Sequence, residues 1–337
     1  MSTITTPSLR AAIPIRGIVL AGLMLALAGA AALLAGWTPI LFSIVTVFLF
    51  AGPHNWLEAR YFLTRLPARW GKLRGFFLFA FGGIFALTAL FASFPWIANS
   101  LQWGPNGWHT GVAVWNTLMI GWIAALVLWR SRQNPRRDWG LAVPVAFLLI
   151  ALNWLFPLFI SLGLVYLHPL MALLLLDREL KRTRPQWRPA YHICLVALPV
   201  LLGLLWWKLY NAPPLPGDSA LREAITNHAG SGVLHGISSH LLVATHTFLE
   251  MVHYGVWLLA MPLVGIRMLP WKLANVPMAR RSTVWRFAII GLLLIGFAIM
   301  LVLWAFFLAD YPTTRYVYFT VALLHVLAEV PFLLRAL

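Results

Sequence analysis

The stretch Trp139–Leu176, WGLAVPVAFLLIALNWLFPLFISLGLVYLHPLMALLLL, contains no Asp, Glu, Lys or Arg. It is almost twice as long as the run of about 20 residues that one membrane-spanning helix needs. Because lipid cannot hydrogen-bond the backbone, such a run crosses a membrane only as helix. Asn153 and Pro157 lie near its middle, and proline disfavours a continuous helix. The run could therefore be two short spans that turn near Asn153–Pro157, and the charges of the connections decide between one crossing and two.

Eight further apolar runs flank this stretch. They are approximately Pro14–Ala35, Thr38–Arg60, Gly75–Ala98, Trp108–Trp129, Ala190–Tyr210, Val233–Ile266, Val284–Leu308 and Thr313–Leu334. The chain is 61% hydrophobic and only 10% charged, and its longest polar connection is about Asn211–Gly232. The sequence predicts an all-α, polytopic transmembrane helical bundle in which residues 1–337 form a single integral membrane domain, without a sizeable soluble domain. The one cysteine, Cys194, excludes an intramolecular disulfide.

Basic residues indicate the orientation of the spans. Arg and Lys cluster after the second, fourth, fifth and seventh runs, whereas the intervening connections carry little excess positive charge. Strict alternation under the positive-inside rule requires ten spans with both termini cytoplasmic. We expect a bacterial cytoplasmic (inner) membrane protein. The net charge of +16 predicts contact with anionic lipid headgroups, and nucleic acid is not an expected partner.

Three of the nine acidic residues lie inside apolar runs, each with a histidine one helical turn away. These pairs are His54–Glu58, His246–Glu250 and His325–Glu329. An acidic side chain at bilayer depth costs roughly 2.5–3.5 kcal/mol on insertion scales, so it usually marks a functional site. In the predicted topology the three pairs, with His168 and His253, lie at similar depth on four spans. These spans could converge on one site.

The eighth run, Val233–Ile266 (the fifth counted as two spans), carries the richest pattern. His246, Glu250 and His253 are spaced i, i+4 and i+7, which places them in one stripe on a helix. Glu250 and His253 also have the Glu-x-x-His spacing of di-iron bundle proteins, although only one copy occurs. The alternative is a hydrogen-bond network that only ties helices together. His240 lies off this stripe and is interpreted as a packing residue.

These residues supply nitrogen and oxygen ligands but no sulfur, a set that suits Fe(II), Mn or Zn. A mixed histidine and carboxylate set with open positions is typical of non-haem iron that activates O2. The predicted metal ligands are His54, Glu58, His168, His246, His253 and His325. Glu250 and Glu329 are predicted catalytic carboxylates, as further ligands or as groups that orient the imidazoles. A site within the bilayer favours an apolar substrate.

Several polar residues also have structural interpretations. Glu58 could be an ion-pair partner of nearby arginines at the membrane edge, and Asp177 and Glu179 are interpreted as such edge partners. The histidines at span ends or in connections are interpreted as solvated or interfacial; they are His109, His192, His228 and His235.

The order of motifs resembles the Brp/Blh family of membrane β-carotene dioxygenases, which cleave carotenoids to retinal. Pro53-His54-Asn55-Trp56-Leu57-Glu58 is similar to the family's early Pro-His-x-x-x-acid element, which usually reads Pro-His-Gly-x-x-Asp. His246…His253-Tyr254 resembles its late histidine pair, and His325…Glu329 resembles its closing His-x-x-x-acid helix. His168 would correspond to a mid-chain histidine. The resemblance implies iron oxygenase chemistry on a polyene.

Three other functions agree with the same residues. A proton-coupled transporter would use the His/Glu pairs as a proton relay. A haem protein would use two imidazoles from different helices as axial ligands. A structural subunit of a larger membrane complex would use the polar pairs only to lock helices together. The sequence leaves these alternatives open.

Overall fold

The computed structural model describes residues 15–134, 139–265 and 271–336, which are helical and contain no β-strand. Twelve α-helices are present in these ranges: α1 (Ile15–Trp37), α2 (Pro39–Arg65), α3 (Arg74–Ser100), α4 (Pro105–Gln133), α5 (Ala142–Leu155), α6 (Pro157–Thr183), α7 (Arg188–Leu209), α8 (Ala220–His228), α9 (Ser239–Gly255), α10 (Met261–Val264), α11 (Thr283–Ala309) and α12 (Tyr311–Ala336).

Nine helical segments in the described ranges are long and apolar enough to cross a membrane. These segments coincide with the apolar runs of the sequence. One of them, Ser239–Val264, consists of α9 and the helical turns that follow it. Each of the nine contributes side chains to one large cluster of buried apolar residues. This pattern of long apolar helices indicates an integral membrane protein.

The long uncharged run is broken where the sequence predicted a turn. Helix α5 ends at Leu155 and α6 begins at Pro157, where the missing N–H of proline costs no helical hydrogen bond. The buried Asn116 of α4 donates from Nδ2 to Asn153 Oδ1 at 2.8 Å and to the Pro157 carbonyl at 3.0 Å. Helix α5 has 14 residues and is about 21 Å long, which is shorter than the roughly 30 Å hydrocarbon core of a bilayer.

Helix α9 lies at the centre of the bundle. All of its residues except His240 and Leu249 are buried, and it packs against α1, α2, α6 and α7. Beyond Gly255 the helix widens into a π-helical turn, Val256–Ala260, and continues as α10. Widened turns of this kind occur often at functional sites. The polar stripe of α9 is therefore covered by neighbouring helices.

The connection Asn211–Gly232 contains a helix that hydropathy did not indicate. Helix α8 begins after Ser219, whose side chain accepts the Arg222 backbone N–H at its start. On its inner face Ile225 packs with Leu242 and Val243 of α9. The following segment 229–238 forms turns, so α9 begins at Ser239, later than the predicted start at Val233. Helix α8 therefore places His228, its last residue, beside the polar stripe of α9.

Candidate metal centre

Six polar side chains from four helices meet in the interior. This inner cluster consists of His54 and Glu58 of α2, His168 of α6, His253 of α9, and His325 and Glu329 of α12. One ligand atom from each of His54, Glu58, His253 and His325 lies within 4.8 Å of the other three. A tetrahedral ion with bonds of about 2.1 Å holds its ligand atoms about 3.4 Å apart. The four atoms would have to approach one another by up to about 1.4 Å to share an ion.

Proline and a backbone carbonyl orient His54. Pro53 lies inside α2, where it removes one helical hydrogen bond. His54 Nδ1 lies 3.0 Å from the Phe50 carbonyl oxygen. Because a carbonyl only accepts, Nδ1 carries the proton and Nε2 keeps its lone pair. No described residue hydrogen-bonds to His54 Nε2, so this atom is free to bind a metal.

His168 joins the inner cluster from α6. Its Nε2 lies 3.2 Å from His325 Nε2, and its Nδ1 lies 3.0 Å from Glu329 Oε2. Its ring centroid is 4.5 Å from that of His253. A carboxylate beside one ring nitrogen leaves the other nitrogen for a metal, an arrangement common around metal-binding histidines.

The two carboxylates of the inner cluster are buried with little compensation. Glu58 and Glu329 are both 0% exposed. Neither oxygen of Glu58 has a hydrogen-bond partner among the described residues, whereas Glu329 Oε2 lies 3.0 Å from the His168 ring. Carboxylates in such surroundings are costly to bury as anions, and a cation or a bound proton offsets that cost. The edge ion pair considered for Glu58 is not formed, since Arg65 pairs with Glu179 instead.

His246 and Glu250 lie in a separate outer group with His228 of α8 and Arg315 of α12. His246 Nδ1 is 3.9 Å from Glu250 Oε2, and the His246 and His228 ring centroids are 4.9 Å apart. His246 is therefore not among the residues of the inner cluster, although sequence reasoning placed it with the other ligands.

Tyr254 connects the outer group with the inner cluster. Its hydroxyl donates to Glu250 Oε1 at 2.9 Å, and its ring lies on that of His54, with centroids 4.2 Å apart. The hydroxyl stays protonated while it donates, so Glu250 acts as the acceptor. Glu250 thus reaches the inner cluster through one side chain.

A cavity of about 470 Å³ joins the two sets of residues. All five predicted histidine ligands and Glu250 line it, and its remaining wall is mostly apolar, with Phe91, Trp115, Leu164, Val165 and Leu323 among the lining residues. Ligand pockets typically measure about 300–1,000 Å³ and are largely apolar with a few polar groups. The cavity is suited to a small apolar molecule.

Sequence reasoning missed two cavity residues. His228 was interpreted as solvated or interfacial, but it is half-buried on the cavity wall. Burial, together with the nearby His246 and Arg315, holds the pKa of His228 well below its usual value, so its ring is neutral. Arg315 is buried within the predicted tenth span. An arginine inside an apolar run on the side where few are expected was a signal that could have identified it.

The other acidic residues behave as expected. Asp177 Oδ2 pairs with Arg188 at 2.9 Å, and Glu179 pairs with Arg65 and Arg182. These pairs lie at the end of α6 that carries the basic tract. They confirm that Asp177 and Glu179 form ion pairs with arginines.

Comparison of the chain with family models, with curated proteins and with solved structures finds no match. Functional inference therefore rests on the geometry of the inner cluster, the outer group and the cavity.

Proposed function

We propose that the protein is a membrane-embedded, non-haem metal oxygenase or oxidase that acts on an apolar substrate taken from the lipid phase. The observation that supports this proposal is the inner cluster at one end of an apolar cavity. Four imidazoles and two buried carboxylates, contributed by four helices, face one another there.

The inner cluster fits a metal ion on chemical grounds. Its donors are nitrogen and oxygen, which suit Fe(II) and do not suit soft copper or iron–sulfur centres. The unpartnered atoms of His54 and Glu58 are the groups that a cation would satisfy. The packed imidazole rings favour a bare ion over haem, because a porphyrin between any two of them would overlap the others.

Each part of the site has a role in this proposal. His54, His253, His325 and Glu58 hold the metal, and Glu329 orients His168 as a further ligand. When bound, Fe(II) supplies the capacity to activate O2. The apolar walls bind the substrate and exclude water.

Glu250 is placed to accept or return a proton. It is the only carboxylate among the cavity-lining residues; it accepts the Tyr254 hydroxyl, and the Tyr254 ring lies against the His54 ring. A carboxylate within reach of a proton-carrying side chain is a suitable general base. In this proposal Glu250 moves protons at the Tyr254 hydroxyl, and it does not bind the metal of the inner cluster.

The resemblance to the Brp/Blh family supports a polyene such as a carotenoid as one substrate class. Of the histidines that carry the resemblance, His54, His168, His253 and His325 are members of the inner cluster, whereas His246 lies in the outer group.

The proposed topology has ten crossings with both termini in the cytoplasm of a bacterium. Helix α5 would then cross as a short span, and the break at Phe156 would lie near the far side of the inner membrane. The basic tracts at the ends of α2, α4 and α6 support this orientation.

A proton-coupled transporter is the second candidate. The contacts from Glu329 to His168 and from His168 to His325 form a chain along which a proton could pass. A relay of this kind works without a resident metal, so metal content separates the two functions.

Metal analysis of detergent-purified protein, together with an absorption spectrum, tests the proposal. We expect one or two irons per chain and no Soret band. His325→Ala should lose at least half of the iron, whereas His109→Ala, which removes an exposed imidazole at the start of α4, should keep it. Folded protein without metal would favour the transporter or a structural subunit, and a Soret band would favour haem.

A further inference from the structure

The cavity has a buried cation at the end opposite the inner cluster. Arg315 lies near the start of α12, is 5% exposed and lines the cavity. Its guanidinium carbon is 4.5 Å from the centroid of the Phe319 ring, and its Nε has no hydrogen-bond partner among the described residues. A guanidinium in apolar surroundings is costly unless an anion or several acceptors satisfy it.

The protein supplies Arg315 with little compensation. Tyr311 shares a side-chain hydrogen bond with its guanidinium, and Glu250 lies near enough to interact with its charge, but among the described residues no carboxylate forms an ion pair with it. The Glu250 oxygens are directed elsewhere, since one accepts the Tyr254 hydroxyl and the other lies toward His246. Because Nε has no partner and Tyr311 is the one side chain that shares a hydrogen bond with the guanidinium among the described residues, donors of Arg315 remain available to a ligand.

The distance between the two polar ends is set by α12. Arg315 and His325 are ten residues apart on one helix, which corresponds to about 15 Å. Between them the cavity wall includes Phe319, Ala322 and Leu323, which are apolar. The cavity thus has a cation at one end, an apolar middle and the inner cluster at the other end.

We infer that the cavity binds an acyl chain with a carboxylate head, with Arg315 holding the head and the chain extending to the inner cluster. Arginine binds a carboxylate through two parallel hydrogen bonds, which fixes both position and orientation. A carbon about 15 Å along the chain would then lie at the inner cluster. The inference rests on the proposed function, because it makes the acyl chain the substrate of that site.

Binding of palmitic acid and of hexadecanol to the full-length protein tests this inference. Both ligands have the same chain length, and only the acid can pair with Arg315. We expect the acid to bind about tenfold more tightly, or better, to iron-loaded and to chelator-treated protein. Arg315→Met should remove this preference and keep hexadecanol binding, whereas Arg315→Lys should keep part of it, because an ammonium makes no bidentate contact. Arg286→Met, which removes an exposed charge on α11, should leave the preference unchanged.

Equal affinity for acid and alcohol in the wild-type protein would overturn the inference, and so would an unchanged preference in folded Arg315→Met. If that variant does not fold, the wild-type ratio and Arg315→Lys decide. The chelated sample separates the two proposals. If the protein never holds iron but still prefers the acid, the oxygenase proposal is wrong and the carboxylate site stands. If the protein holds iron but shows no preference for the acid, only the carboxylate site is wrong.

Discussion

Helices α9 and α11 are opposites in composition and in position. Among the nine membrane-length segments, the one containing α9 is the least apolar and the one formed by α11 is the most apolar. Yet 72% of the most apolar window is buried in the α9 segment, against 11% in α11. In water the most apolar helix would be expected at the centre. The inverse order indicates that the more apolar α11 faces lipid, whereas the more polar α9 is surrounded by protein.

The first test of this comparison introduces an acidic side chain into α11. Leu294 lies in the middle of α11 and is 62% exposed. Leu294→Asp should cost about 3 kcal/mol of insertion free energy, because no neighbouring helix covers the carboxylate. The measurement is the yield of inserted protein, with Leu294→Ala as the control. An unchanged yield would mean that α11 is covered by a partner.

Substituting one glycine on each helix compares how tightly α9 and α11 are packed. A Cβ on Gly255 of α9 would lie 2.0 Å from Leu27 Cδ2, whereas a Cβ on Gly291 of α11 meets nothing within 4 Å. Gly255→Val should destabilise the protein by about 1–3 kcal/mol through overpacking. Gly291→Val should have almost no effect. Thermal unfolding followed by tryptophan fluorescence measures both, and equal shifts would contradict the assigned packing.

Helix α5 is an intermediate case, because it is exposed like α11 but carries one buried polar residue, Asn153. Asn116→Ala removes the side-chain amide that donates to Asn153 Oδ1 and to the Pro157 carbonyl, so both oxygens lose this hydrogen bond. We expect a loss of about 1.5 kcal/mol, near the largest values measured for such bonds in membranes. Thr110 lies on α4, like Asn116, and Thr110→Ala removes only an exposed hydrogen bond to the Asn106 carbonyl. This control should change stability much less in the same unfolding assay.

The smallest expected effect concerns the attachment of α11. Trp304 Nε1 donates to the Phe48 carbonyl of α2 at 2.7 Å. Trp304→Phe keeps an aromatic ring and removes this bond, so we expect a loss of about 0.6 kcal/mol, the average for such bonds. A loss several times larger in thermal unfolding would show that α11 depends on this contact more than on apolar packing.

Much of this arrangement could be predicted from the sequence. Apolar length gave the membrane-length helices, and the break before Pro157 followed from a run too long for one span. The spacing of His325 and Glu329 placed both on one helix face, and similar depth suggested that four helices meet. These features depend on distances along the chain, which a sequence contains.

Features that depend on the rotation of one helix against another could not be predicted. His246 lies seven residues, or about 10.5 Å, from His253 along α9, and which of the two meets the histidines of the other helices depends on how α9 packs against them. The contact of His168 with Glu329 joins α6 and α12, and no local pattern specifies it. Helix α8 was missed because its nine residues are mostly polar and short, and its position depends on Ile225 packing against α9.

The four-helix origin of the inner cluster has a consequence for biosynthesis. Its residues extend from position 54 to position 329, and α12 is the last helix in the described part of the chain. As the ribosome delivers the helices in order, α2, α6 and α9 enter the bilayer before His325 and Glu329 exist. Any ion that the cluster takes up can be fully enclosed only after α12 has inserted. Maturation of the site therefore follows the insertion of α12.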